Sequence, residues 1–224
     1  MSRWVYLVLT VLAIVAVVYI YFHRLQLGLV GAPNPTTTQT ENAVATGPEM
    51  YPARVVWQNV DRTPDGFQLQ MPEDEREVQV PAYTDRGTIE QVDMLLSSPD
   101  GQATYSVAWA DDPPVVRAES PSVERTLDAA RAGALKRTQT SLISESNTRV
   151  QGFPACDFTG RNAEGGLLDA RLVLAGKRLY MLVAAFPSAQ ASSQQNVSQF
   201  FGDFRLTASA SIPKTVPLAP ASGQ

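Results

Sequence analysis

Residues 179–186 read Leu-Tyr-Met-Leu-Val-Ala-Ala-Phe, and this stretch restricts the fold more than any other. Successive side chains of a strand point to opposite sides. Leu179, Met181, Val183 and Ala185 therefore share one face, and Tyr180, Leu182, Ala184 and Phe186 share the other. A strand that is apolar on both faces belongs in the interior of a sheet covered on both sides. Leu167 to Leu174 form a second extended run, separated from the first by Ala175-Gly176-Lys177, which is the pattern of a hairpin.

Other extended runs surround this pair. Trp57 to Val60 and Gly66 to Met71 come first, the latter alternating Phe67, Leu69 and Met71 until Pro72 ends it. Thr88 to Ser97 and Gln102 to Ala110 flank the turn sequence Ser98-Pro99-Asp100-Gly101 and form a second hairpin. Ser141 to Val150 and Ala155 to Gly160 lead into the central hairpin, and Phe204 to Leu206 close the order. Ser120-Pro121 opens a helix carrying Val123, Leu127, Ala130 and Ala134 on one stripe through Lys136. Ser193 to Phe201 form a second helix, with Val197, Phe200 and Phe201 inward and Gly202 as its stop. The expected fold class is α+β: one antiparallel sheet with a helix on each face, an α/β/α sandwich over 51–207. The acidic run Glu73 to Glu77 reads as a solvated loop or a strand edge guarded by charge.

Outside that domain the chain changes character. Trp4 to Phe22 is 19 residues without a charge, the length of a helix that crosses a bilayer, with aromatic residues at both ends. A transmembrane anchor is expected over 1–24, with the domain on the extracytoplasmic side, because a short basic start followed at once by the apolar run is the form of a signal anchor. Residues 25–50, with Pro33, Pro35, Pro48 and three consecutive threonines, read as a flexible tether. Residues 208–224 have the same composition and read as a tail.

Net charge is -4, which gives no footprint for nucleic acid. Cys156 is the sole cysteine and His23 the sole histidine, so no intrachain disulfide can form and the folded domain has no imidazole for a nucleophilic relay. Cys156, on a strand, reads as a small buried hydrophobe. Asp93, Asp111 and Asp112, gathered near one strand end, are the weak candidates for a divalent cation through carboxylate oxygens; Asp-Asp before Pro-Pro is also ordinary turn chemistry. Arg171 requires a partner on the sheet, supplied by Asp157 or Asp169 as a structural ion pair. No cofactor is expected.

Taken together, Gly66-Phe67-Gln68-Leu69-Gln70-Met71-Pro72, Tyr105 to Ala110, Gly152-Phe153-Pro154, Arg171 to Tyr180 and Phe201 to Leu206 resemble small exported bacterial domains of the PsbP-like fold. The resemblance covers about Trp57 to Thr207 and implies an α/β/α sandwich with a non-catalytic role, such as assembly of membrane complexes or protein and lipid binding. The amino terminus departs from the lipoprotein and cleaved forms, having no lipobox cysteine and an apolar run that reads as retained. The function expected from the sequence is that of a membrane-held domain that binds a protein partner in the envelope. The alternatives are a carrier of a lipid or other apolar ligand, and a carboxylate- or metal-dependent enzyme.

Overall fold

The computed structural model describes residues 55–83, 89–99, 103–111, 122–189 and 193–210. The expected membrane span, the tether, Asp112 and Ser120-Pro121 lie outside the described residues. In chain order the elements are β1 (Trp57–Arg62), a short 3-10 turn (Thr63–Asp65), β2 (Phe67–Pro72), β3 (Arg76–Tyr83), β4 (Ile89–Ser97), β5 (Thr104–Asp111) and α1 (Val123–Arg137). They continue as β6 (Ser141–Val150), β7 (Phe153–Arg161), β8 (Leu167–Ala175), β9 (Arg178–Phe186), α2 (Gln194–Gly202) and β10 (Arg205–Leu206).

Seven strands form one antiparallel sheet in the order β3-β4-β5-β9-β8-β7-β6, which places β9 at its centre. Its apolar faces separate as the alternation requires. Met181, Val183 and Ala185 pack with Leu127, Ala130 and Ala134 of α1, whereas Tyr180, Leu182, Ala184 and Phe186 pack on the opposite side. The β8–β9 hairpin closes through Gly176-Lys177, with Ala175 paired to Arg178.

The sequence pattern leads to one sheet, but the structure has two. β1, β2 and β10 form a separate three-stranded antiparallel sheet, in the order β1-β2-β10. Phe67, Leu69 and Met71 of β2 point into the large sheet's second face, together with Val197 and Phe200 of α2. That face is thus shared between a small sheet and a helix instead of being covered by a helix alone. Aromatic rings fill the interlayer: Phe67 lies 5.0 Å from Trp109 and 5.8 Å from Tyr180 between centroids, and Tyr105 lies 5.4 Å from Phe200 and 6.2 Å from Phe186. Pairs in this range add about 0.5–1.5 kcal/mol each beyond the burial of their area.

Three local readings are corrected. The cap of α1 is Ser122, whose side chain accepts from the Arg125 N–H at 3.3 Å, and Val123 at the first helical position is 43% exposed. β3, a strand the sequence pattern leaves out, begins inside the acidic run at Arg76, with Val78 and Val80 turned into a small cluster on the α1 side with Val92, Met94 and Ala108. As an outer strand it tolerates both the charges and Pro81. At the other end, Ala210 is 1% exposed within the core, so the packed chain runs past 207.

Candidate functional site

The richest concentration of buried polar groups lies where the 3-10 turn meets the ends of β5 and β9. Arg178, the first residue of β9, is 1% exposed. Register pairs it with Asp111, the last residue of β5. Its Nε and Nη2 donate to Asp111 Oδ1 and Oδ2, the latter at 2.8 Å, and its Nη1 donates to the Asp65 carbonyl at 2.7 Å. Burial by itself would pull the Arg178 guanidinium down, but the hydrogen bonds to Asp111 and Tyr180 outweigh it and hold the group above its ordinary value. The Tyr180 hydroxyl donates to the Asp65 carbonyl at 3.0 Å, and burial pushes its pKa up.

Arg62 extends the cluster outward. Its Nε donates to Asp65 Oδ2 at 2.8 Å, and its two terminal nitrogens grip Glu77 at 2.8 and 2.9 Å. The same guanidinium stands 5.2 Å over the Trp109 ring. The pairing with Glu77, more than any other cause, raises the Arg62 pKa. The arrangement ties the small sheet, the 3-10 turn and the chain near Ser209 to the centre of the large sheet. Its cations are matched by carboxylates, which makes it a fastening. The tyrosine hydroxyl acts in it as a donor, held in its neutral form.

This places the sequence candidates. Asp93 is paired in register with Trp109, on the same face of the sheet as Asp111. Its Oδ1 accepts from Gln79 Nε2 at 2.8 Å, while both oxygens of Asp111 are engaged by Arg178. Among the described residues no group of three His, Cys, Asp or Glu side chains could hold a metal ion. Sequence reasoning singled out Asp111 but missed its partner, because the pair forms only once β5 and β9 are in register.

Arg171 has the partner that its place on a sheet demands. Its Nε and Nη2 donate to Asp157 Oδ1 and Oδ2, each at 2.7 Å, and its Nη1 donates to the Phe201 carbonyl at 3.0 Å. Its guanidinium also lies 5.2 Å from the Phe201 ring, so it anchors the end of α2 to β7 and β8. Asp169, the other candidate partner, instead accepts from Thr159 at 2.7 Å. Arg171→Lys keeps the charge but loses the fork and the stacking. We expect it to lower folding stability by about 1 kcal/mol, read from the urea midpoint at constant slope. Cys156 is 2% exposed, and burial pushes its thiol up, opposite to the direction a reactive thiolate needs.

Among solved structures, the chain is similar to cyanobacterial PsbP (CyanoP) of Synechocystis sp. PCC 6803 in solution, at 13% identity and a TM-score of 0.49, over 74% of this chain and 98% of that chain. It is also similar to a protein of unknown function from Pseudomonas aeruginosa, at 11% identity and a TM-score of 0.31, over 60% of this chain and 85% of that chain. No family model and no curated protein matches it.

Proposed function

We propose that the chain is a single-pass, membrane-anchored domain on the extracytoplasmic side, and that its role is non-catalytic, binding a protein partner in an envelope complex. The observation that carries this reading is the contrast between the two outer strands of the large sheet. β3 bears Arg76, Glu77 and Pro81, the ordinary devices against further pairing. β6 is ten residues long and has no proline; its charges are Arg149 and Glu145, the latter paired with Arg131 of α1, and it shows Leu142 at 43% and Ile143 at 52% exposure beside a break in register. A strand of that kind suits an added strand from an extended segment of a partner, with main-chain hydrogen bonds for affinity and apolar side chains at Leu142 and Ile143 for selectivity. The uncharged run from Trp4 to Phe22, followed by a proline-containing polar stretch, supports membrane tethering. Among the described residues no helix is long and apolar enough to cross a membrane.

In sealed native membranes, a photocrosslinking residue at Ile143 of the full-length chain is expected to capture a defined protein partner, while one at Gln79 on β3 does not. Replacing Leu142 and Ile143 together by lysine should abolish the capture and move folding stability by less than about 0.5 kcal/mol. Equal capture from β3, or capture that survives the double replacement, would refute the role given to β6. Protease that digests the domain only after the membranes are opened from the cytoplasmic side would refute the orientation.

A further inference from the structure

The loop that joins β6 to β7 fixes which main-chain groups of β6 face outward. It is Gln151-Gly152, with φ +48° and +88°, the mirror-image turn of tight hairpins. Its closing pair, Val150 and Phe153, is hydrogen-bonded across the turn itself. Pairs of an antiparallel ladder alternate from there, and the register runs unbroken from Val150 back to Ser144. Val150, Thr148 and Ser146 therefore turn their N–H and C=O groups to β7, while Arg149, Asn147 and Glu145 turn theirs outward. Carried across β7 and β8, the same alternation arrives at Ala175 and Arg178, the closing pair of the two-residue β8–β9 loop. Among the described residues no strand pairs with β6 on its outer side.

The side chains on those outward residues complement themselves. Glu145, Asn147 and Arg149 are exposed on the α1 side of the sheet, where Glu145 meets Arg131 and Asn147 stands opposite Cys156 of the cluster under that helix. A second β6 can join antiparallel about a two-fold axis normal to the sheet, and only a few registers are open to it. Centred on Asn147, the pairing opposes Glu145 to Arg149 twice and Asn147 to itself, whose amide both donates and accepts. Centred on Glu145 or on Arg149, it sets like charges directly across, which is destabilising. Centred on Ser146 or Thr148, it leaves both charges without a counter-charge opposite. The Asn147 register gives about six main-chain hydrogen bonds. α1 lies chiefly over β7 and β8, and the two β7 strands would stand three strand spacings, about 14 Å, apart. Packed helices need only about 8–10 Å, so the two copies of α1 do not collide.

We propose that the occupant of the β6 edge is a second copy of this chain, joined about a two-fold axis at Asn147 into one continuous sheet with β3 at both ends. This rests on the reading of β6 as a pairing edge and names what pairs there. The contact is isologous and closes on itself. It consumes the open edge of both copies and leaves outermost only strands that carry Arg76, Glu77 and Pro81. Ile143 falls opposite Gln151 of the second copy, so the photocrosslink at Ile143 joins chain to chain.

The test uses the full-length chain in native membranes. Directly opposed residues of a hydrogen-bonded pair have Cα atoms about 5.5 Å apart, within reach of a disulfide, so Asn147→Cys should give a covalent dimer under mild oxidation. Ser144→Cys should not, because its counterpart lies about 20 Å along the strand. Nor should the natural chain, whose Cys156 is buried. In the Asn147→Cys chain, adding either Glu145→Arg or Arg149→Glu should cut the dimer at least about fivefold, since like charges then face each other twice. Coexpressing those two chains should restore it, as each supplies the charge that the other lacks. No dimer from Asn147→Cys, an equal dimer from Ser144→Cys, or charge reversals without effect or without rescue would overturn the self-pairing. If Ile143 then still captures a different protein, the pairing edge stands and only its occupant is wrong; if neither position captures anything, both readings fall.

Discussion

Asp111→Ala is expected to cost about 3–5 kcal/mol of folding stability, the range found when one partner of a buried ion pair is removed. The reason lies in where Arg178 stands. It opens the central strand and is 1% exposed. It can neither reach water nor give up its proton, because its hydrogen bonds to Asp111 and Tyr180 keep its pKa above the ordinary arginine value against the pull of burial. Without the carboxylate, the charge would lean on neutral acceptors such as the carbonyls of Asp65 and Ser209. Asp111→Asn, which keeps acceptor and donor groups but no charge, should lose less. Combining Asp111→Leu with Arg178→Met should recover much of the loss, since apolar replacements of a whole buried pair are often tolerated. A double-mutant cycle from urea midpoints gives the coupling directly. A raised arginine pKa contributes stability that is fully present below its unfolded value and is lost only in strong alkali. The cost of Asp111→Ala should therefore be flat across the neutral range. A loss below about 1 kcal/mol would place the pair with exposed surface bridges and remove the role given to it here.

What the sequence discloses about this fold follows from how local each signal is. The two faces of β9 and the β8–β9 hairpin are written in period-2 patterns and a two-residue loop, so they can be read without knowing any neighbour. Arg171 is legible for a similar reason: a charge on an inner strand must be paired, and Asp157 of the adjoining strand is its direct register partner. β3 is hidden, because an outer strand may carry the charges and proline that mark a loop elsewhere. The division into two sheets is hidden for a different reason. β2 takes its second neighbour, β10, from the far end of the chain, and they meet only in the folded domain, where Phe67 and Phe204 pack on each other and on Tyr180.

Gly66→Ala is expected to be the most damaging single methyl in the domain. Gly66 ends the 3-10 turn at φ +89° and ψ 14°, where its N–H donates to the Thr63 carbonyl at 3.0 Å. A side chain in that region costs about 1–3 kcal/mol in backbone strain. The space is closed as well. An added Cβ would stand 2.4 Å from the Tyr180 hydroxyl and 2.5 Å from the Ala210 Cα, and Ala210 is backbone that cannot swing aside. Forcing a carbon into packed surroundings adds about 1–3 kcal/mol. Gly152 separates the two contributions: its φ is +88°, but an added Cβ would meet nothing within 4 Å. Gly152→Ala should therefore show the backbone cost alone, and the excess of Gly66→Ala over it measures the crowding. That excess should come with a specific sign at Tyr180. Its pKa is raised chiefly by burial, so a turn pushed off the sheet should let the hydroxyl ionise closer to the ordinary tyrosine value in an ultraviolet titration. Equal losses in the two alanine variants, with the tyrosine titration unmoved, would show that the 3-10 turn and the chain at Ala210 are not clamped together over β9 as described.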